Sequence, residues 1–164
     1  MKPLADKTRR RLEIQGFENV EENLLRETAP RLRFSFALCT ILAALGTILA
    51  SPFFLWSLIP VSAIAAFPPV HPFDLIYNFG IRYFTGTSPL PPRGTPNRFA
   101  CGVGTVWLLL TGLAFYAGYI TTGYILGALL CVVGILVSTI NFCIPSFIYR
   151  MIFGFSSKSA LHKI

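Results

Sequence analysis

The chain has 164 residues, enough for one domain, of which 54% are hydrophobic and only 13% charged, with a formal net charge of +7. Soluble domains carry roughly 25% charged residues, so the composition argues against an ordinary water-soluble domain. The distribution is sharper still: residues 99–149, a run of 51, contain no Asp, Glu, Lys or Arg.

Residues 1–33 read as a polar head. Eight of the 14 Lys and Arg lie here, Arg9-Arg10-Arg11 among them. The basic triplet reads first as a topology signal. Gripping anionic lipid headgroups, at about 1 kcal/mol per basic residue, is the alternative. Five Glu follow it and dilute the patch, so nucleic-acid binding is not expected. Asn19-Val20-Glu21-Glu22 has the spacing of a capping box with Asn19 as N-cap, and Pro30 ends the helix it opens. The apolar block begins too far into the chain for a cleavable signal, and no lipidation motif is apparent.

The expected architecture is all-α and integral to the membrane: four transmembrane helices as two hairpins, with an interfacial helix in the central loop. A span needs about 20 apolar residues. The first runs from about 34 to 50, and Ser51-Pro52 makes the turn. The second runs from about 53 to 67 with Pro60 inside it, so this hairpin is expected to be short and kinked. Residues 72–84 read as a helix in the headgroup plane, with Asp74, Asn78 and Arg82 at i, i+4, i+8 and aromatic residues over the rest. Arg98 completes this interfacial polar face. Residues 87–96, rich in Pro and Gly, read as an extended connector.

The third span is expected at about 99–119 and the fourth at about 123–142. The fourth carries a stripe of small or polar residues on one face: Gly123, Gly127, Cys131, Gly134, Ser138 and Asn141. Small residues let helix backbones approach closely in lipid, so the stripe is expected to pack against the third or the first span. Asn141 is the best candidate for an interhelical hydrogen bond. A membrane domain of residues 34–153 is followed by a tail at 154–164.

Three basic residues lie in the central loop, three follow the last span, and the hairpin tips carry none. The positive-inside rule then places both termini and the loop in the cytoplasm.

Little in the chain announces chemistry. Cys39, Cys101, Cys131 and Cys143 fall within or beside the spans, without a zinc pattern or a Cys-x-x-Cys. By topology Cys39, Cys101 and Cys143 share the cytoplasmic part of the membrane, with Cys131 deeper. Each first reads as a small apolar core residue. Cys143 is the candidate reactive thiol: Cys143-Ile144-Pro145-Ser146 has redox-motif spacing with Ser in the second position. A helix starting at Pro145 would favour its thiolate. His71 and Asp74 sit together at the interface. No acidic residue lies inside any span, which argues against a proton- or sodium-driven carrier.

Asn97-Arg98-Phe99-Ala100 opening the third span, and Asn141-Phe142-Cys143 with Ile148-Tyr149 closing the fourth, resemble the bacterial membrane family known as domain of unknown function 4395. The resemblance covers residues 25–153. It implies a bacterial inner-membrane protein and gives no activity. The family often has a second Cys where this chain has Ser146, which places any dithiol role at that motif in doubt.

No metal or cofactor is expected, and no paired nucleophile and base suggests an enzyme. The first functional expectation is a non-enzymatic accessory or assembly subunit of a larger membrane complex, with another membrane protein or a second copy as partner. The alternatives are a redox or sulfur-handling protein using Cys143, and a small-molecule channel or carrier.

Overall fold

The computed structural model describes residues 6–18, 20–69 and 71–154. Among these every regular element is a helix. The polar head contributes α1 (Asp6–Ile14) and α2 (Glu22–Thr28). Neither α1 nor its packing was legible from periodicity, because it is the most polar helix of the chain. Asn19 lies outside the described residues; α2 begins behind Glu21, which makes no side-chain capping bond.

The helix α3 (Arg33–Ile48) follows a short turn at Pro30. Ser51 accepts a hydrogen bond from the Phe54 backbone N–H and starts α4 (Pro52–Ser57). The expected second span is broken near Leu58, where α5 (Ile59–Ala66) takes over with Pro60 in its first turn. Proline has no N–H to continue the preceding helix, so the break falls just before it.

The central segment is α6 (Pro72–Ile76), a π-helical turn over Tyr77–Ile81, and α7 (Arg82–Thr85), ended by Gly86 at φ +61°. The wide turn changes the helical phase. Asp74 turns inward and is buried, Asn78 accepts the Leu90 backbone N–H at 3.0 Å, and Arg82 lies over the Tyr83 ring. Asp74 and Asn78 both bond to the connector, through Arg93 and Leu90.

Two long helices follow, α8 (Thr95–Tyr116) and α9 (Ile120–Ile140), with the tight turn between them at Gly118 (φ +82°). Three helical stretches are long and apolar enough to cross a membrane: Glu22–Ile48, Thr95–Tyr116 and Ile120–Ile140. Pro52–Ala66 is shorter. At 1.5 Å per residue it reaches about 22 Å, against a hydrocarbon core of about 30 Å. The chain turns at Asn141, in the left-handed conformation (φ 54°), and enters α10 (Ile144–Phe153).

The small-residue stripe of α9 is used inside the chain. A Cβ on Gly127 would lie 2.3 Å from Thr47, one on Gly134 2.2 Å from Thr40, and one on Gly123 2.6 Å from Phe115. Thus α9 rests on α3 at two points and on α8 at one. Ser138 bonds back to the Gly134 and Ile135 carbonyls of its own helix. The opposite faces of α8 and α9 are apolar and open, with Val106, Ile125 and Val132 each more than half exposed.

Candidate functional site

At the end of the bundle away from the two hairpin turns, a buried polar layer joins six elements. Its centre is Asp74 on α6 and Arg93 in the connector. Arg93 donates from Nε to Asp74 Oδ2 (2.6 Å) and from Nη2 to Oδ1 (2.7 Å). The side chains are 3% and 1% exposed, respectively, so water does not share the pair. The Ser35 hydroxyl of α3 donates a third bond to Asp74 Oδ1. Burial pushes the Asp74 carboxyl up, but the bonds and charge of Arg93, with Ser35, outweigh it and hold it below its ordinary value. The guanidinium also lies over the Phe36 ring at 4.7 Å.

From Arg93 the layer continues by side-chain amides. Arg93 Nη1 donates to Asn97 Oδ1 (3.2 Å), Asn97 Nδ2 to Gln15 Oε1 (3.4 Å), and Gln15 Nε2 to the Asn141 carbonyl (2.6 Å). Asn141 thus serves by its backbone, and its buried Nδ2 has no partner among the described residues. Arg150 of α10 pairs with Glu18 and donates to the Glu13 and Ile14 carbonyls at 3.1 and 3.3 Å. Gly16 (φ +100°) and Gly94 meet backbone to backbone, where a Cβ on Gly94 would lie 2.5 Å from Gly16 Cα. The head is therefore seated on the bundle.

Beneath this layer lies an apolar cavity of about 400 Å³ between α3, α5, α8, α9 and α10. Cys39, Cys101, Cys143 and His71 all line it; Cys131 does not. All four cysteines are free thiols. No group of His, Cys, Asp or Glu among the described residues is placed to hold a metal ion.

Cys143 is the residue before α10, whose first turn holds Pro145, but it is buried at 3% exposure. Burial pushes its thiol up, and hydrogen bonding from Ser146 and the Arg93 charge offset this only in part. The helix start does not by itself make this Cys an exposed thiolate. The Ser146 hydroxyl also donates to the Pro96 carbonyl at 3.0 Å, tying α10 to α8. His71 accepts the Phe73 N–H at Nδ1 (3.2 Å), which leaves Nε2 as the protonated nitrogen, 3.9 Å from Cys39 Sγ. Burial, reinforced by the Arg93 charge, pushes the imidazole down to about 4, so it is neutral at physiological pH.

Of the residues named from sequence, Cys39, His71, Cys101, Gly134 and Cys143 line the cavity, Asp74 belongs to the polar layer, and Asn141 joins that layer by its carbonyl. Asn78, Arg82 and Arg98 do not line the cavity. Ser35, Arg93, Asn97 and Gln15 were not singled out. One signal was available: Asp74 is the only acidic residue after Glu27, and a lone carboxylate in so apolar a chain needs a buried cation.

The fold and the site together define an all-helical protein with membrane-length helices, a thiol-lined cavity and a buried ionic layer. The chain belongs to the family described as Domain of unknown function (DUF4395), whose model matches residues 29–153. No curated protein and no solved structure gives a significant match.

Proposed function

We propose that this is a four-span protein of a bacterial inner membrane, with both termini and the central loop cytoplasmic, that carries out dithiol–disulfide chemistry in its cavity. The topology is supported by the absence of Lys and Arg from both hairpin tips. The short Pro52–Ala66 stretch is accommodated by local thinning of the bilayer.

The observation that carries the chemistry is the convergence of three of the four cysteines, from three separate parts of the chain, on one apolar cavity. The shared member is Cys101. Closing a disulfide from Cys101 to Cys39 or Cys143 releases two protons and two electrons. A lipid-soluble two-electron acceptor of the quinone class takes both: two thiols and one quinone give one disulfide and one quinol. Burial keeps Cys143 protonated and away from water-soluble reagents. An oxidant that reaches it must therefore be apolar. The neutral His71, with its Nε2–H toward Cys39, can donate a hydrogen bond to a sulfur or quinone oxygen.

The test is a single turnover under anaerobic conditions with a fully ring-substituted quinone, which thiols do not alkylate. The expected result is one equivalent of quinol per chain, and none from Cys101→Ser. Equal quinol formation by the parent and by Cys101→Ser would contradict the proposal.

A second reading, an accessory subunit of a membrane complex, is favoured by Phe79, Tyr83 and Phe84, which are 75%, 68% and 93% exposed on one segment. The α9 stripe does not bear on it, because α3 and α8 occupy that stripe. Detergent co-purification of a stoichiometric partner, lost on replacing these rings by Ser, would distinguish it.

A further inference from the structure

A groove of about 610 Å³ runs along α8 and shares a wall with the thiol cavity at Phe99, Val103 and Trp107. Its walls are apolar, from Phe99, Gly102, Val106 and Trp107, with Tyr149 of α10 beside them and Arg98 at its polar end. Arg98 is half-buried, and among the described residues the one hydrogen bond of its side chain is from Nε to the Ala66 carbonyl, at 3.2 Å. Among the described residues Arg98 forms no ion pair with a carboxylate, and the nearest acid in the sequence, Asp74, is committed to Arg93. A fixed cation therefore stands at the mouth of an apolar trough, within the first turn of a membrane-length helix.

We propose that this groove binds one anionic glycerophospholipid, its phosphate on the Arg98 guanidinium and one acyl chain along α8. The charge complementarity selects an anionic lipid over a zwitterionic one, and the groove selects a lipid over free phosphate. The site rests on the reading of α8 as a span but is independent of the cavity chemistry.

The chain has two tryptophans, Trp56 and Trp107; Trp107 lines the groove and also the thiol cavity, so Gly102, which lines the groove alone, separates the two. In a Trp56→Phe background, acyl-brominated phosphatidylglycerol should quench the remaining Trp107 at lower mole fraction than brominated phosphatidylcholine. The expected preference is about five-fold, the worth of one basic residue at an anionic surface. Arg98→Gln should abolish the preference and Arg98→Lys should keep it. Gly102→Leu, at a position whose Cβ would meet only Ala66 at 3.8 Å, should abolish it by filling the groove while leaving Arg98 in place. That second variant decides the matter should Arg98→Gln not fold.

Equal quenching by both lipids, unchanged in the variants, would reduce the groove to ordinary lipid contact and overturn the site while leaving the span intact. Loss of the preference in millimolar inorganic phosphate would assign Arg98 to free phosphate instead. No quenching by either lipid would overturn the site together with the placement of α8 in the bilayer.

Discussion

Removing the Asp74 carboxylate isolates the Arg93 guanidinium in a place water does not reach. The pair has two charge-assisted bonds of 2.6 and 2.7 Å, with the Arg93 side chain 1% exposed. Breaking a buried ion pair by deleting one partner costs about 3–5 kcal/mol, mostly for the charge left behind. Asp74→Ala should therefore lower the thermal midpoint by roughly 6–20 °C, taking about 2–4 °C per kcal/mol for a chain of this size. The reverse deletion, Arg93→Met, should cost less at acidic pH, because a carboxyl can escape by taking up a proton and a guanidinium cannot give one up. Replacing both, Asp74→Leu with Arg93→Met, should recover much of the loss, since no unpaired charge remains. The assay is tryptophan-monitored unfolding in mild detergent at pH 7 and fixed scan rate. An Asp74→Ala midpoint within about 3 °C of the parent, equivalent to about 1 kcal/mol, would refute the reasoning. So would a double variant no more stable than Asp74→Ala.

Other consequences follow from single residues. The His71 imidazole lies at about 4 in the fold against 6.5 when free, so the unfolded chain binds the proton first as pH falls. Its contribution, on the order of 3 kcal/mol, is whole above pH 6.5 and lost progressively toward pH 4. His71→Gln should flatten the stability–pH slope in that window, and an unchanged slope would count against it. Gly127→Ala places a Cβ 2.3 Å from Thr47 and should cost about 1–3 kcal/mol by overpacking. Thr47→Ala in the same chain should restore part of that; no coupling in the double-mutant cycle would mean that α3 and α9 do not meet there. Gly94→Ala drives a Cβ into the Gly16 backbone and should unseat the head. Hydrogen exchange at Leu12 to Gly16 would then rise while α8 and α9 stay protected, and unchanged protection would show that the contact is not tight.

The long apolar helices were legible because their signal is length and absence of charge, which needs no tertiary context. The break near Leu58 was announced by Pro60, whose missing N–H acts locally. The stripe on α9 told which face packs, and the alternatives of first or third span both contribute, through Thr47 and Thr40 on α3 and Phe115 on α8. The π-helical turn at Tyr77–Ile81 was not legible, because periodic spacing assumes 3.6 residues per turn. The helices α1 and α10 were hidden differently. The first is polar enough to read as a solvated head, yet its Gln15 is 2% exposed, and it is held by hydrogen bonds to Asn97 and to the Asn141 carbonyl across the chain. The second was legible only as a condition on Pro145. The cavity itself was out of reach of sequence, since it joins Cys39, Cys101 and Cys143 across more than a hundred residues. Their common cavity required the packing of α3 against α9 and the turn at Asn141.

The thiol account meets its most direct test in a disulfide map. The protein, reduced in its native membrane, is exposed to a fully substituted quinone, and its free thiols are then alkylated under denaturing conditions. Peptide mass spectrometry reads the linkage. The account predicts a disulfide joining Cys101 to Cys39 or Cys143, Cys131 remaining free, and no such linkage in Cys101→Ser. Recovery of all four cysteines as alkylated thiols would contradict it and return Cys39, Cys101 and Cys143 to the role of small apolar residues in a core.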